Sequence, residues 1–115
     1  MDEKKEKFLR LNIFKELEPL NGKEAIIKVF TESQMELVIT RIIQFGKSVG
    51  LNGLECFDGD EFRDCHVKEQ YSNNPSDAEW MTKAFNRLVE RAHENKAKMQ
   101  FHYSATYHVP EVLLA

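Results

Sequence analysis

Positive charge is in short supply in this chain: 16 lysines and arginines stand against 19 aspartates and glutamates, a formal net charge of −3 over 115 residues. A protein that grips nucleic acid by neutralising phosphates needs the opposite balance, so nucleic acid is disfavoured, and the basic side of Lys83, Arg87 and Arg91 reads as a solvated helix face. No apolar run approaches the length of a membrane-spanning helix, so no membrane is expected as a partner. Cysteine is scarce, at two residues, and without a C-x-x-C spacing, which argues against a disulfide scaffold and a thiol-rich zinc module. No catalytic or cofactor motif occurs either. No cofactor is expected.

What is present is a charged, moderately apolar chain, 42% hydrophobic and 30% charged, with room for one domain over 1–115 that buries about two-thirds of its unfolded surface. Its opening, Asp2-Glu3-Lys4-Lys5-Glu6-Lys7, carries both signs of charge and no following apolar stretch of the kind an export leader needs. With two cysteines, the expected location is the reducing cytoplasm.

Leu9, Ile13, Leu17 and Leu20 share one stripe at 100° per residue, which predicts a helix over 3–20 closed by Asn21-Gly22. Phe8, Leu11 and Phe14 form a second stripe on the opposite side, and one domain has only one core to cover both. The run Ala25 to Phe30 is β-branched and apolar on both sides, predicting a central strand over 24–31. Ser33 and Glu36 have capping-box spacing ahead of a helix over 33–49, whose face holds Met35, Val38, Ile39, Ile42, Phe45 and Val49. Gly50 or Gly46 ends that helix, Gly46 alternatively marking a close approach to the sheet.

Asp58-Gly59 lies between a short apolar piece, Leu54 to Phe57, and a segment with Cys65, Val67, Glu69 and Tyr71 at a period of two, and predicts a hairpin over 54–71. Ser76 and Glu79 repeat the capping-box spacing before a helix over 76–95, with Glu79 and Lys83 paired at i,i+4. Met99 to Val109 alternates cleanly, predicting a half-buried strand over 98–109, and Pro110 opens a tail over 110–115. The order is βαββαβ behind an extra N-terminal helix: an α+β, ferredoxin-like two-layer sandwich with an antiparallel sheet in the order 4-1-3-2.

Chemistry-bearing residues are few. Cys56, Cys65, His66, His102 and His108 are potential zinc ligands, yet His102 and His108 lie six residues apart on one strand, about 20 Å at 3.3 Å per residue, too far to share an ion. Asp58, Asp60, Asp64 and Glu69 fit four positions of a calcium loop, but Phe62 and Arg63 occupy positions that need a ligand and a glycine. No metal site is expected. Asp58, Asp60, Glu61 and Asp64 read as a solvated acidic hairpin tip or an acidic contact surface for a basic partner.

The run His102-Tyr103-Ser104 resembles one half of the paired His-x-Ser/Thr motif of the two-histidine phosphoesterases, and the chain holds no second half. His66, His102 and His108 are therefore weak catalytic candidates, implying at most a small enzyme of phosphoester or nucleotide chemistry on the open sheet face. An RNA-recognition module shares the element order, but Glu61-Phe62-Arg63-Asp64-Cys65-His66 stands where its basic aromatic signature belongs.

Two features outlast these tests: the stripe Phe8, Leu11 and Phe14, and the tail Val112, Leu113 and Leu114. If either stays uncovered it marks a contact site, since burying each large side chain is worth about 1.5–3 kcal/mol. The function expected from sequence is thus a small protein-binding regulator, adaptor or inhibitor, with an unidentified protein partner and self-association as a homodimer through the opening helix or the open sheet face.

Overall fold

A computed structural model describes residues 3–22, 24–58, 69–70, 74–94 and 101–114. The first helix, α1, is Glu3–Asn12, and it stops well short of the predicted Leu20. Pro19 is one reason, because it blocks the helical hydrogen bond and disfavours helical geometry at Glu18. Arg41 is the other: its guanidinium donates to the carbonyls of Ile13 (2.9 Å) and Lys15 (2.5 Å), which a continued helix would need for its own ladder. The chain then turns through Glu16 at φ 66°, a left-handed conformation that ends any helix.

The predicted first strand is cut to two residues, β1 at Phe30–Thr31. Lys28 accounts for the loss. Alternation places it on the same side as the buried Phe30, and it takes its charge to Glu6 of α1 (3.2 Å) and to the carbonyl of Ala25 (2.9 Å). The chain bends at Ile26 and Ile27, and the bond to Ala25 ties Lys28 back across that bend.

Thr31 caps the second helix, α2 at Glu32–Phe45, with a complete capping box to Gln34, two residues upstream of the Ser33/Glu36 pair that sequence favoured. Gly46 closes it at φ 67°, its N–H donating to Ile42. Gly46 is therefore a terminus. The close approach falls at Gly50 instead, where a Cβ would sit 1.9 Å from the carbonyl oxygen of Pro75. β2 begins there and runs Gly50–Asp58, four residues earlier than predicted, with an irregularity between Leu51 and Gly53.

The predicted hairpin partner is described at β3, Glu69–Gln70, which pairs with Leu54 and Gly53; the bend itself and residues 59–68 lie outside the described residues. Helix α3, Ala78–Glu94, is capped by Asp77, whose carboxylate accepts from the amides of Glu79 (2.9 Å) and Trp80 (3.3 Å), rather than by Ser76. Lys83 pairs with Glu79 at 2.7 Å, and that bond raises the pKa of the exposed ammonium. β4 is Phe101–His108, and the tail forms a 3₁₀ turn at Glu111–Leu114.

The fold is α+β, but the ferredoxin-like sandwich is not formed. The body of the sheet is β1, β4 and β2, with β3 adding two residues at the far side, in the order β1-β4-β2-β3 and antiparallel throughout. The order 4-1-3-2 fails at its centre. A central strand must be apolar on the core side, and Lys28 disqualifies the first strand, leaving it a short edge. The alternating β4 takes the centre, laddered to β2 from Gly50↔His108 to Asp58↔Phe101. Helices α2 and α3 cover one side, where Phe85 meets Tyr103 edge-on with ring centroids 5.7 Å apart.

Candidate functional site

The two surfaces singled out in the sequence meet in the structure, because α1 and the C-terminal 3₁₀ turn are in contact. Their residues divide sharply. Phe14 lies beyond the end of α1 and is buried, packed between Phe30 (5.4 Å) and Tyr107 (5.2 Å). Phe8 is half-buried, edge-on to Phe45 at 5.3 Å. Leu113 and Leu114 pack partly against the core. What remains outward is Leu11, 57% exposed, and Val112, 79% exposed. The second stripe is thus largely satisfied within the chain, because truncating α1 turns Phe14 inward.

The histidines are dispersed. His66 lies outside the described residues, as do Cys65 and the acidic candidates Asp60, Glu61 and Asp64; Asp58 is the last residue of β2. His102 stands opposite Thr31 and Phe57 in the sheet and His108 opposite Gly50, both half-buried at the two ends of β4. Ser104, expected beside His102 on an open surface, is buried instead. Cys56 is also buried and joins the apolar core. Among the described residues, no group of three histidines, cysteines or carboxylates is placed to hold a metal ion.

Sequence reasoning passed over His93, the one histidine the fold gives an acidic partner among the described residues. Its Nε2 lies 2.9 Å from Oε1 of Glu32, and the hydroxyl of Tyr103 donates to the same oxygen at 3.3 Å. The cluster joins the last turn of α3, the first turn of α2 and the middle of the sheet. No local pattern signals it, since 61 residues separate His93 from Glu32. Both side chains are largely exposed, at 62% and 44%, so the pair sits in high dielectric rather than in a cleft.

Two shallow cavities flank residues 25–29. One, of about 180 Å³, is lined by Arg10, Phe14, Lys15, Leu17, Pro19 and Lys28, among others. The other, of about 170 Å³, lies between Ile26, Ile27 and Lys28 on one side and Ser104 to Tyr107 on the other. Neither is lined by His93, His102 or His108. Tyr107 brings the one buried side-chain polar atom without a partner among the described residues: burial of its hydroxyl drives the pKa well above the usual tyrosine value. Among the described residues, no helix is long and apolar enough to cross a membrane. No family model, no curated protein and no solved structure matches this chain.

Proposed function

We propose that this chain is a small protein-binding regulator, adaptor or inhibitor that acts through protein–protein contacts and associates with itself through the surface made by α1 and the C-terminal turn. The observation that carries this reading is the juxtaposition of α1 with that turn while Leu11 and Val112 stay outward. Fully burying an exposed side chain of this size is worth about 1.5–3 kcal/mol, and covering Leu11 and Val112 would contribute in proportion to the surface each still exposes. The stripe Phe8, Leu11 and Phe14 supports it only through Leu11, since Phe14 and much of Phe8 are covered by the chain's own core.

Amide NMR spectra recorded over a dilution series test the reading on the intact chain. Concentration-dependent shifts at Leu11 and Val112, with His102 and His108 stationary, are expected. Shifts confined to β4 move the contact to the sheet, and no shift up to about 1 mM, the weak end of specific association, contradicts self-association.

A second reading, a small enzyme of phosphoester or nucleotide chemistry, is favoured by the orientation of His93 by Glu32, the arrangement of a general base. It differs from the sequence expectation in resting on His93 rather than on His66, His102 or His108. Loss of a hydrolytic activity in His93→Ala, with the fold intact, is its test; an unchanged activity removes it.

A further inference from the structure

The edge of β4 beyond β1 is an unfinished ladder. Pairing ends at Phe30↔Tyr103, although the chain from Ala25 to Val29 is apolar and β-branched and runs beside the rest of β4 across the 170 Å³ cavity. Ile26 and Ile27 are left 73% and 60% exposed there. At Val29 the backbone is already oriented for pairing. Val29 turns its amide to Asn21 Oδ1 (3.0 Å) and its carbonyl to the N–H of Leu20 (2.7 Å), both in the preceding loop. The N–H and C=O of one strand residue point to the same side and alternate along the strand, so Phe30 turns toward β4, and in an extended 25–29 Lys28 would do the same, with Tyr103, Ala105 and Tyr107 turned toward them. Continuing the register places Lys28 opposite Ala105 and Ile26 opposite Tyr107.

What interrupts the ladder is the side chain of Lys28. Its ammonium bridges Glu6 on α1 and the carbonyl of Ala25 on its own segment, the second bond spanning the bend at Ile26 and Ile27. We propose that Lys28 is a latch: its bonds to Glu6 and Ala25 hold residues 25–29 off β4, and their release lets the segment close onto Ala105 and Tyr107, lengthening β1. Closure brings Ile26 over the apolar ground of Tyr107 and Phe14 and covers the exposed edge. Because Glu6 belongs to α1, the state of the edge is tied to the position of that helix.

Residue-resolved amide exchange on the whole chain reads the two states. In the wild type, Ala105 and Tyr107 are expected to exchange at least about tenfold faster than Tyr103, which is laddered on that side. Lys28→Met keeps the apolar stem without the charge and is expected to slow Ala105 and Tyr107 by about tenfold while Tyr103 stays protected. Glu6→Gln, which leaves the core untouched, should shift the same two amides in the same direction by a smaller factor. Wild-type protection at Ala105 and Tyr107 equal to that at Tyr103 overturns the latch, since the edge would already be closed. So does a folded Lys28→Met with unchanged exchange, or, where Lys28→Met does not fold, an unchanged Glu6→Gln.

Discussion

Tyr107 shows how a single side chain can carry an uncompensated cost. Its ring fills the core against Phe14, but its hydroxyl is buried without a partner among the described residues. A buried, unpaired hydroxyl costs about 1–3 kcal/mol, so Tyr107→Phe is expected to raise stability by about 1 kcal/mol in chemical denaturation. The same burial raises the phenol's pKa in the folded state above its unfolded value. The folded state therefore holds a proton that the unfolded state releases above about pH 10, and stability falls as pH climbs past that point. Tyr107→Phe should flatten this alkaline decline, and an equally steep decline in the variant would show that another group drives it. Gly50 is the opposite case, a position where an added atom has no space. Its Cα faces the Pro75 carbonyl so closely that Gly50→Ala must displace backbone, and a loss of about 1–3 kcal/mol is expected in the same measurement. Neither property was legible in sequence: alternation put Tyr107 in the core without showing its hydroxyl unpaired, and Gly50 read as a helix terminator.

The elements were readable where burial and local chemistry agreed. The stripes of α2 and α3 and the alternation of β4 led to the correct element types because one face of each packs into the core. The boundaries failed where a distant residue intervened: Arg41 takes carbonyls at the end of α1, and Lys28 bends the chain ahead of β1. Pro19 is a sequence signal against a helix to Leu20 that the periodicity of Leu17 and Leu20 does not carry. Capping shows competition among neighbours. Thr31-x-x-Gln34 and Ser33-x-x-Glu36 overlap, and the pair that closes at the strand-to-helix junction is the first. Thr31→Ala is accordingly expected to lower stability by about 1 kcal/mol, read from the thermal or denaturant midpoint, whereas Ser33→Ala stays within about 0.5 kcal/mol. A loss in Ser33→Ala alone would place the cap at Ser33, and equal losses in both would contradict a cap made by Thr31 alone.

For the whole molecule, the element order was visible and the sheet order was not. Both 4-1-3-2 and β1-β4-β2-β3 interleave two β-α-β crossings, each skipping one strand, so connection rules alone do not separate them. The choice falls to which strand tolerates the centre, and the inward position of Lys28 removes the first strand from it. The proposed contact surface was legible in the same partial way. Sequence identified two apolar segments needing cover, but the core claimed Phe14 and most of Phe8, leaving Leu11 and Val112 on neighbouring elements. Because both are exposed, charge at these positions should leave the fold intact and act on association alone.

Sedimentation equilibrium of the wild type beside Leu11→Asp/Val112→Asp tests that claim most directly. The account predicts a wild-type mass that rises with concentration toward twice the 13.5 kDa of one chain, and a variant that stays at a single chain mass with an unchanged thermal midpoint. A wild type that remains at one chain mass throughout, or a variant that associates as strongly as the wild type, contradicts it.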